Sequence, residues 1–141
     1  MTRTLRAAVI GLGSMGANHA RVLSDTPGVE LVAVADANPA AVNKTIAGRP
    51  IPGFPDAVSL LRETRPDMVS IVVPTQLHEE VALQAIAAGA NVLVEKPIAA
   101  TLDAARRIAV AAEQAGLVLT VGHIERFNPA VRAAQPHLKS P

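Results

Sequence analysis

Short runs of aliphatic residues alternate along the chain with longer segments whose apolar residues recur at helical spacing. Such unbroken aliphatic runs predict strands of a parallel sheet, because a sheet covered on both faces gives its strands no polar side. We expect strands over residues 5–10, 31–35, 51–54, 68–73, 91–95 and 117–121, the third being a short edge strand. Helices are expected over residues 14–23, 39–47, 57–64, 77–88 and 101–114. The alternation predicts an α/β fold, a doubly wound parallel sheet with helices on both faces.

The residues that follow the predicted strands are the least ordinary ones in the chain. They lie at positions 11–16, 36, 74–78, 95–97 and 122–128. Because ligands of such sheets bind beyond the carboxyl ends of the strands, we expect the functional site at this edge.

The first of these segments carries the pattern Gly11-x-Gly13-x-x-Gly16 directly after a strand. Gly11 allows a tight turn, Gly13 allows a pyrophosphate to approach the backbone, and Gly16 allows the next helix to pack closely on the sheet. The phosphates would lie at the helix N-terminus, beside Ser14 and Met15, where unpaired N–H groups favour an anion. The pattern predicts a dinucleotide-binding turn in a Rossmann-type sheet.

Asp36 ends the second predicted strand, twenty residues after the last glycine of that turn. At this spacing a carboxylate accepts hydrogen bonds from the adenosine ribose, although an aspartate here also commonly caps a turn. It would repel a 2′-phosphate, and the adjacent Ala37 and Asn38 offer no cation. We therefore expect NAD rather than NADP, while Lys44 and Arg49 could fold back toward this position.

Composition narrows the function classes. The 141 residues carry a net charge of +1, half of them are hydrophobic, and there is no cysteine. A near-neutral chain with only two aromatic residues, Phe54 and Phe127, gives no support for nucleic-acid binding. We expect no metal site, no membrane segment and a cytoplasmic location.

Four segments together resemble the Gfo/Idh/MocA oxidoreductases, which are two-domain NAD(P)-dependent dehydrogenases of sugars, cyclitols and related polyols. The resemblance covers nearly the whole chain, and the Glu-Lys-Pro element is its most specific part. The last segment looks most like the branch that acts on nucleotide sugars, such as UDP-N-acetylglucosamine 3-dehydrogenases. The segments are Gly11-Leu-Gly-Ser-Met-Gly16 with Asn18-His19, Val73-Pro-Thr-Gln-Leu-His78, Glu95-Lys-Pro97 and Val121-Gly-His-Ile-Glu-Arg-Phe-Asn-Pro129.

The resemblance implies a set of cofactor contacts outside the glycine turn. Residues Pro74, Thr75 and His78 would line the cofactor, and Glu95 would contact the nicotinamide ribose. Gly122 would let the backbone lie close to the nicotinamide.

Lys96 is the catalytic residue that the resemblance implies, placed at the nicotinamide face near the reacting carbinol. Its ammonium could donate a hydrogen bond to a developing alkoxide and join a proton relay. The alternative is a solvated lysine at the end of a strand. Pro97 would also contact the cofactor, and in the family this position often follows a cis bond.

Four further residues are expected on the substrate side: His19, His123, Arg126 and Asn128. Each histidine could instead be a polar residue satisfied within the fold. Arg126 could pair with Glu125 or Glu95, or with a phosphate of cofactor or substrate.

The resemblance implies that family members continue into a second α/β domain, and we expect this sequence to stop just before that domain. We therefore expect an NAD-binding domain over residues 1–124 and a connecting segment over residues 125–141. The chain alone would bind NAD(H) but turn over little or no sugar-type substrate. Its exposed apolar face would favour self-association, so a homo-oligomer is possible.

Other functions stay open at this point. One alternative is a stand-alone NAD(H)-binding or redox-sensing module, or a subunit completed in trans by another chain. An S-adenosylmethionine enzyme would also use a glycine-rich turn and an acidic residue, but it would give residues 95–97 no role.

Overall fold

The computed structural model describes residues 3–138 and contains one six-stranded sheet. Every neighbouring pair of strands is parallel, and the strand order is β3-β2-β1-β4-β5-β6. The strands are β1 (Leu5–Ile10), β2 (Val29–Ala35), β3 (Gly53–Phe54), β4 (Met68–Ile71), β5 (Asn91–Val94) and β6 (Leu119–Val121). The predicted doubly wound parallel sheet is confirmed.

Helices connect the strands. They are α1 (Ser14–Asp25), α2 (Pro39–Ile46), α3 (Ala57–Thr64), α4 (His78–Ala87), α5 (Leu102–Gln114) and α6 (Pro129–Ala134). Short 3₁₀ turns cover Thr75–Leu77, Ile124–Phe127 and Gln135–Leu138. The predicted helix starts at Asp56 and Thr101 are real caps, since each side chain accepts a hydrogen bond from a backbone N–H of the first turn.

Two apolar cores cover the two faces of the sheet. On one face, helices α3, α4 and α5 pack on the strands, with Leu60, Ile71, Ala85 and Ile108 among the buried residues. On the other face, α1 and α2 form a smaller core that includes Val9, Ala20, Val34 and Val42. In β1 and the second half of β2, successive residues enter opposite cores, which fixes these strands and the positions of the loops at their ends.

Several element ends differ from the predictions by one or two residues, and three of these differences have a local structural reason. Strand β2 begins at Val29 because that residue pairs with Leu5 of β1. Strand β4 stops at Ile71. The N–H of the next residue, Val72, still donates to the carbonyl of Ile10 (2.8 Å), and the turn follows. The proline-rich segment before α3 leaves β3 only two residues long.

The segment predicted to connect onward is helical but broken. Helix α6 stops at Ala134, and a 3₁₀ turn begins at Gln135, because Pro136 has no N–H to continue the α-helix. Residues 139–141, the end of the predicted connecting segment, lie outside the described residues, as do residues 1 and 2. The domain boundary at residue 124 stays a prediction.

This terminal segment exposes large apolar side chains. Ile124, Phe127 and Val131 are all exposed, Phe127 at 74% of its surface. Such a cluster on one segment supports the prediction of self-association, which stays a prediction. No helix in residues 3–138 is long and apolar enough to cross a membrane.

Candidate functional site

The glycine turn is built by close backbone contacts. Gly11 has a φ of +92°, and its N–H donates to the carbonyl of Ala35 (2.8 Å). A Cβ on Gly11 would lie 2.5 Å from the carbonyl carbon and oxygen of Val72, and one on Gly16 would overlap the carbonyl oxygen of Gly11. These two glycines therefore allow the strand, the turn and α1 to pack together, as the sequence predicts.

Gly13 differs from the other two glycines of the turn. A Cβ added to it would meet nothing within 4 Å, so the space above it is open. It precedes α1, whose first turn has no side-chain cap and no acidic residue. The exposed Ser14 and Met15 thus begin a helix whose N–H groups are available to an anion.

Asp36 lies beside this turn and is held by two backbone amides. Its Oδ2 accepts from the N–H of Leu12 (2.6 Å), and its Oδ1 accepts from the N–H of Asn38 (2.8 Å). The second bond is the turn-capping role that the sequence left open. Each carboxylate oxygen keeps a further lone pair, so the same group can also accept from ligand hydroxyls.

An open cleft joins these features at the carboxyl edge of the sheet. A cavity of about 630 Å³ lies between Gly13, Asp36, Val73 and Pro74. Thr75, in the 3₁₀ turn after Pro74, is partly buried. A second cavity of about 540 Å³ begins at Leu12 and Asp36 and runs along α2.

This second cavity contains the two cations considered for a 2′-phosphate. Lys44 and Arg49 both line it together with Asp36. Arg49 donates from Nη1 to the carbonyl of Thr45 (2.5 Å), so its guanidinium is partly engaged by the end of α2.

The segment after β5 places a second carboxylate at the same edge. The N–H of Lys96 donates to Glu95 Oε2 (3.0 Å), while the Lys96 side chain is exposed. The Lys96–Pro97 bond is cis, as the resemblance implies. A Cβ on Gly122 would lie 2.8 Å from Glu95 Oε1, so Gly122 makes room for this carboxylate.

His19 lies against Glu95 instead of on an open substrate face. Its Nδ1 is 2.7 Å from Ser70 Oγ, and its Nε2 is 3.2 Å from Glu95 Oε1. Ser70 is fully buried in β4. The structure thus joins α1, β4 and the end of β5 through three side chains, which differs from the predicted position of His19 on the substrate side.

His78 lies beneath the cleft. It is 1% exposed, with Nδ1 2.9 Å from the carbonyl oxygen of Pro97 and Nε2 2.9 Å from that of Val73. Each ring nitrogen faces one of these carbonyls, and the nitrogen that carries the proton donates to its carbonyl, so the buried ring lies between two cleft-lining loops. This corrects the expectation that the His78 side chain itself lines the cofactor.

The remaining substrate-side residues surround a third cavity. His123 and Arg126 line a space of about 640 Å³ together with Lys96 and Arg132. Within residues 3–138, Arg126 forms no ion pair, so the predicted pairing with Glu125 or Glu95 is not present.

Asn128 has a local role. Its Oδ1 caps α6 by accepting from the N–H of Ala130 (2.9 Å), and its Nδ2 donates to Glu125 Oε2 (2.8 Å). Both ends of the side chain are therefore engaged inside the connecting segment. Its position on the substrate side stays a prediction.

Sequence reasoning missed one residue of the site, Ser70. Its signal was a single hydroxyl inside the aliphatic run of residues 68–73, where a polar side chain needs a partner. In the described part of the chain, no cluster of three or more His, Cys, Asp or Glu side chains could hold a metal ion.

The arrangement has two carboxylates flanking an open helix N-terminus. Asp36 follows β2 and Glu95 follows β5, three strand positions apart, which at about 4.8 Å per strand separates the two ends by about 14 Å. An ionised carboxylate only accepts hydrogen bonds, and a helix N-terminus favours an anion. The edge is thus suited to a ligand with hydroxyl groups at both ends and phosphates between them.

Comparison with known proteins agrees with a dinucleotide site at this edge of the sheet. A family model described as an oxidoreductase family with an NAD-binding Rossmann fold (Gfo/Idh/MocA) matches residues 5–123. The chain is 36% identical over 128 residues to a UDP-N-acetylglucosamine 3-dehydrogenase of Acidithiobacillus ferrooxidans, covering 91% of this chain and 40% of that protein. It is 38% identical over 133 residues to an inositol 2-dehydrogenase of Arthrobacter sp., covering 91% of this chain and 39% of that protein.

A solved structure shows the same fold. The scyllo-inositol dehydrogenase of Lactobacillus casei, with bound NAD(H) and scyllo-inositol, superposes with a TM-score of 0.89 at 25% identity. The match covers 96% of this chain and 41% of that one. The chain thus spans about 40% of the length of the relatives it matches.

Proposed function

The chain belongs to the Gfo/Idh/MocA family of oxidoreductases, as its NAD-binding Rossmann domain, and from this premise we propose that it binds NAD(H) for dehydrogenation of a sugar-type alcohol. The substrate carbon would be a CH–OH group of a sugar, nucleotide sugar or cyclitol. The relatives named above act on substrates of the last two kinds, by their names.

One observation carries the proposal: two anchored carboxylates flank an open helix N-terminus on a single edge of the sheet. The pyrophosphate would lie over Gly13, where the backbone is open and the N–H groups of Ser14 and Met15 begin α1. Asp36 would accept from the adenosine ribose and Glu95 from the nicotinamide ribose. Pro74 and Thr75 would border the cofactor between the two carboxylates.

Lys96 is proposed to act at the reacting oxygen. Bound NAD would supply the hydride acceptor, and the lysine would donate a hydrogen bond to the alkoxide that develops on the substrate. Lys96 shares a cavity with Gly122, His123 and Arg126. In this proposal His123 and Arg126 border the substrate, while Gly122 and Pro97 shape the nicotinamide end.

NAD is favoured over NADP because of Asp36. A 2′-phosphate would lie beside that carboxylate, and the repulsion is strong at short range. Arg49 is partly engaged by the carbonyl of Thr45, and Lys44 is the other cation that lines the cavity beside Asp36.

Isothermal titration calorimetry of the 141-residue chain tests the proposal. We expect saturable NAD+ binding and, from the repulsion at Asp36, about tenfold weaker NADP+ binding. Circular dichroism on the same sample shows whether the chain is folded. A folded chain that binds no NAD+ at millimolar concentration contradicts the proposal.

A further inference from the structure

We propose that His19 and Ser70 are positioning residues that hold the Glu95 carboxylate in place for a ribose hydroxyl at the nicotinamide end of the cleft. The three side chains, called here the His19 cluster, connect α1, β4 and the end of β5. The inference rests on the proposed NAD function, since the role given to Glu95 requires a ribose in the cleft.

The cluster starts from a buried hydroxyl. Ser70 is fully buried between Val69 and Ile71, both of which are fully buried apolar residues of β4. A hydroxyl in such a place is unfavourable unless it is hydrogen-bonded. Among the hydrogen bonds of residues 3–138, the partner of Ser70 Oγ is Nδ1 of His19, at 2.7 Å.

Donor and acceptor roles give this chain of groups a direction. Glu95, as a carboxylate, can only accept, so Nε2 of a neutral His19 must carry the proton and donate to Glu95 Oε1. Nδ1 is then an acceptor, and the Ser70 hydroxyl donates to it. Each group is satisfied with one proton on the imidazole: Glu95 sets the tautomer of His19, and the Ser70 hydroxyl supports that tautomer and holds the ring in place by donating to Nδ1.

Glu95 is restrained on every side that the structure describes. His19 donates to Oε1, the N–H of Lys96 donates to Oε2, and Gly122 lies against the carboxylate with no side chain between them. The side chains of His19 and Glu95 are only 15% and 12% exposed. The carboxylate therefore has one main position, with a lone pair left on each oxygen for a hydroxyl of the ligand.

The cluster also sets a distance within the cofactor site. His19 belongs to α1, the helix whose N-terminus is proposed to hold the pyrophosphate. Its bond to Glu95 ties that helix to the segment after β5, so the phosphate site and the ribose site move as one unit. Such preorganisation strengthens binding because less ordering is needed when the ligand arrives.

Two substitutions of His19 distinguish the roles of its two ring nitrogens. In His19→Gln the amide nitrogen can occupy the place of Nε2 and still donate to Glu95. In His19→Asn the shorter amide reaches only the place of Nδ1, beside Ser70, and leaves Glu95 without this donor. The pair matches polarity and differs only in which partner is kept.

The test measures binding of NAD+ and of ADP to each variant by calorimetry, because ADP lacks the nicotinamide ribose. For His19→Asn we expect the dissociation constant of NAD+ to rise about tenfold, the size of a lost hydrogen bond to a charged group, with that of ADP unchanged. His19→Gln should restore most of the NAD+ affinity.

Equal losses for NAD+ and ADP would contradict the positioning role, since that result means general damage to α1. Unchanged NAD+ binding in His19→Asn would contradict it as well. If the unsubstituted chain is folded but does not bind NAD+, the proposed function fails and this inference with it. Binding of NAD+ with no effect of His19 overturns the inference alone.

Ser70→Ala gives a second readout by nuclear magnetic resonance. In the unsubstituted chain the ¹⁵N shifts of His19 should show a protonated Nε2 and an unprotonated, hydrogen-bonded Nδ1. In Ser70→Ala the proton should stay on Nε2, which Glu95 still requires, but the Nδ1 signal should move to that of a nitrogen without a hydrogen bond, and NAD+ but not ADP should bind more weakly. A protonated Nδ1 in the unsubstituted chain would overturn the assigned direction.

Discussion

The two carboxylates of the cleft are held in different ways. Asp36 accepts from backbone amides, those of Leu12 and Asn38, and the second donor is only two residues away along the chain. Glu95 accepts from one neighbouring amide and from the imidazole of His19, which is 76 residues away. The proposed adenosine end is thus built mainly by the backbone of two turns, whereas the proposed nicotinamide end depends on a long-range side-chain contact.

The two carboxylates should respond differently when the residues that hold them are substituted. Every residue except proline keeps its backbone donor, so the two hydrogen bonds to Asp36 do not depend on the side chains of Leu12 and Asn38. Glu95 loses its long-range support with a single change at His19 and keeps only the neighbouring amide of Lys96. We expect substitutions to damage the two ends independently, which binding of NAD+ and ADP can distinguish.

The largest effect is expected for Gly16→Ala. This substitution disrupts the packing of α1 on the glycine turn, on which both ends of the cleft depend. The new Cβ would overlap the carbonyl oxygen of Gly11, and neither atom can move away without a shift of the backbone. We expect a loss of about 3 kcal/mol or more in the free energy of unfolding, measured in urea. A stability equal to that of the unsubstituted chain would contradict the described packing of the turn.

Gly13→Ala is the matched control for that substitution. Its methyl group meets no protein atom within 4 Å, so the free energy of unfolding should change by only about 0.5 kcal/mol. NAD+ and ADP should both bind much more weakly, because the methyl group occupies the space proposed for the pyrophosphate. Intact binding would show that the phosphates lie elsewhere.

Asp36→Ala should weaken NAD+ and ADP together. The adenosine ribose is common to both ligands, and losing an acceptor that is charged costs about tenfold or more in affinity. The preference for NAD+ over NADP+ should shrink at the same time, since the repelling charge is gone. A loss confined to NAD+ would place Asp36 at the wrong end of the cleft.

Gly122→Ala should have a smaller effect, and at the nicotinamide end alone. Its Cβ would lie 2.8 Å from Glu95 Oε1, so the carboxylate, at the far end of its side chain, must shift slightly out of its held position. We expect NAD+ binding to weaken by about threefold, since part of one charged hydrogen bond is lost, with ADP binding unchanged. Calorimetry with both ligands checks this, and a parallel loss of ADP affinity would contradict it.

The smallest effect is expected away from the cleft, at the ion pair between Glu79 of α4 and Arg107 of α5. Hydrogen bonds from Arg107 hold the pKa of the Glu79 carboxyl below its ordinary value of 4.5. The stabilisation is therefore present above about pH 4.5 and is lost as the pH falls through the lowered pKa.

Urea midpoints of the unsubstituted chain and of Glu79→Gln measure this contribution. The variant should be slightly less stable at neutral pH, and the two midpoints should converge in acid. The pair is exposed, so the difference should be small and should shrink further in high salt. A difference that grows as the pH falls would have the wrong sign.

Much of the fold was predictable because its signals are local. The aliphatic runs, the three glycines, the caps at Asp56 and Thr101, and the acid at Asp36 each act within one or two elements. Their spacing in sequence therefore carries over to their spacing in the structure.

The nicotinamide end was less predictable for a physical reason. His19, Ser70 and Glu95 belong to three separate elements, and only the sheet order brings them together. His78 was assigned to the cofactor from its motif, but its ring is used by two backbone carbonyls beneath the loops. A side chain's direction depends on neighbours that are far away in sequence.

The most direct test of the central claim is an NMR titration of the ¹⁵N-labelled chain with NAD+ and, separately, with ADP. We predict that NAD+ shifts the amide signals of Gly13, Asn38, Lys96 and Gly122 together, at both ends of the cleft. ADP should shift those of Gly13 and Asn38 only. Shifts from NAD+ confined to one end, or located mainly outside this edge of the sheet, would contradict a single cleft with a carboxylate at each end.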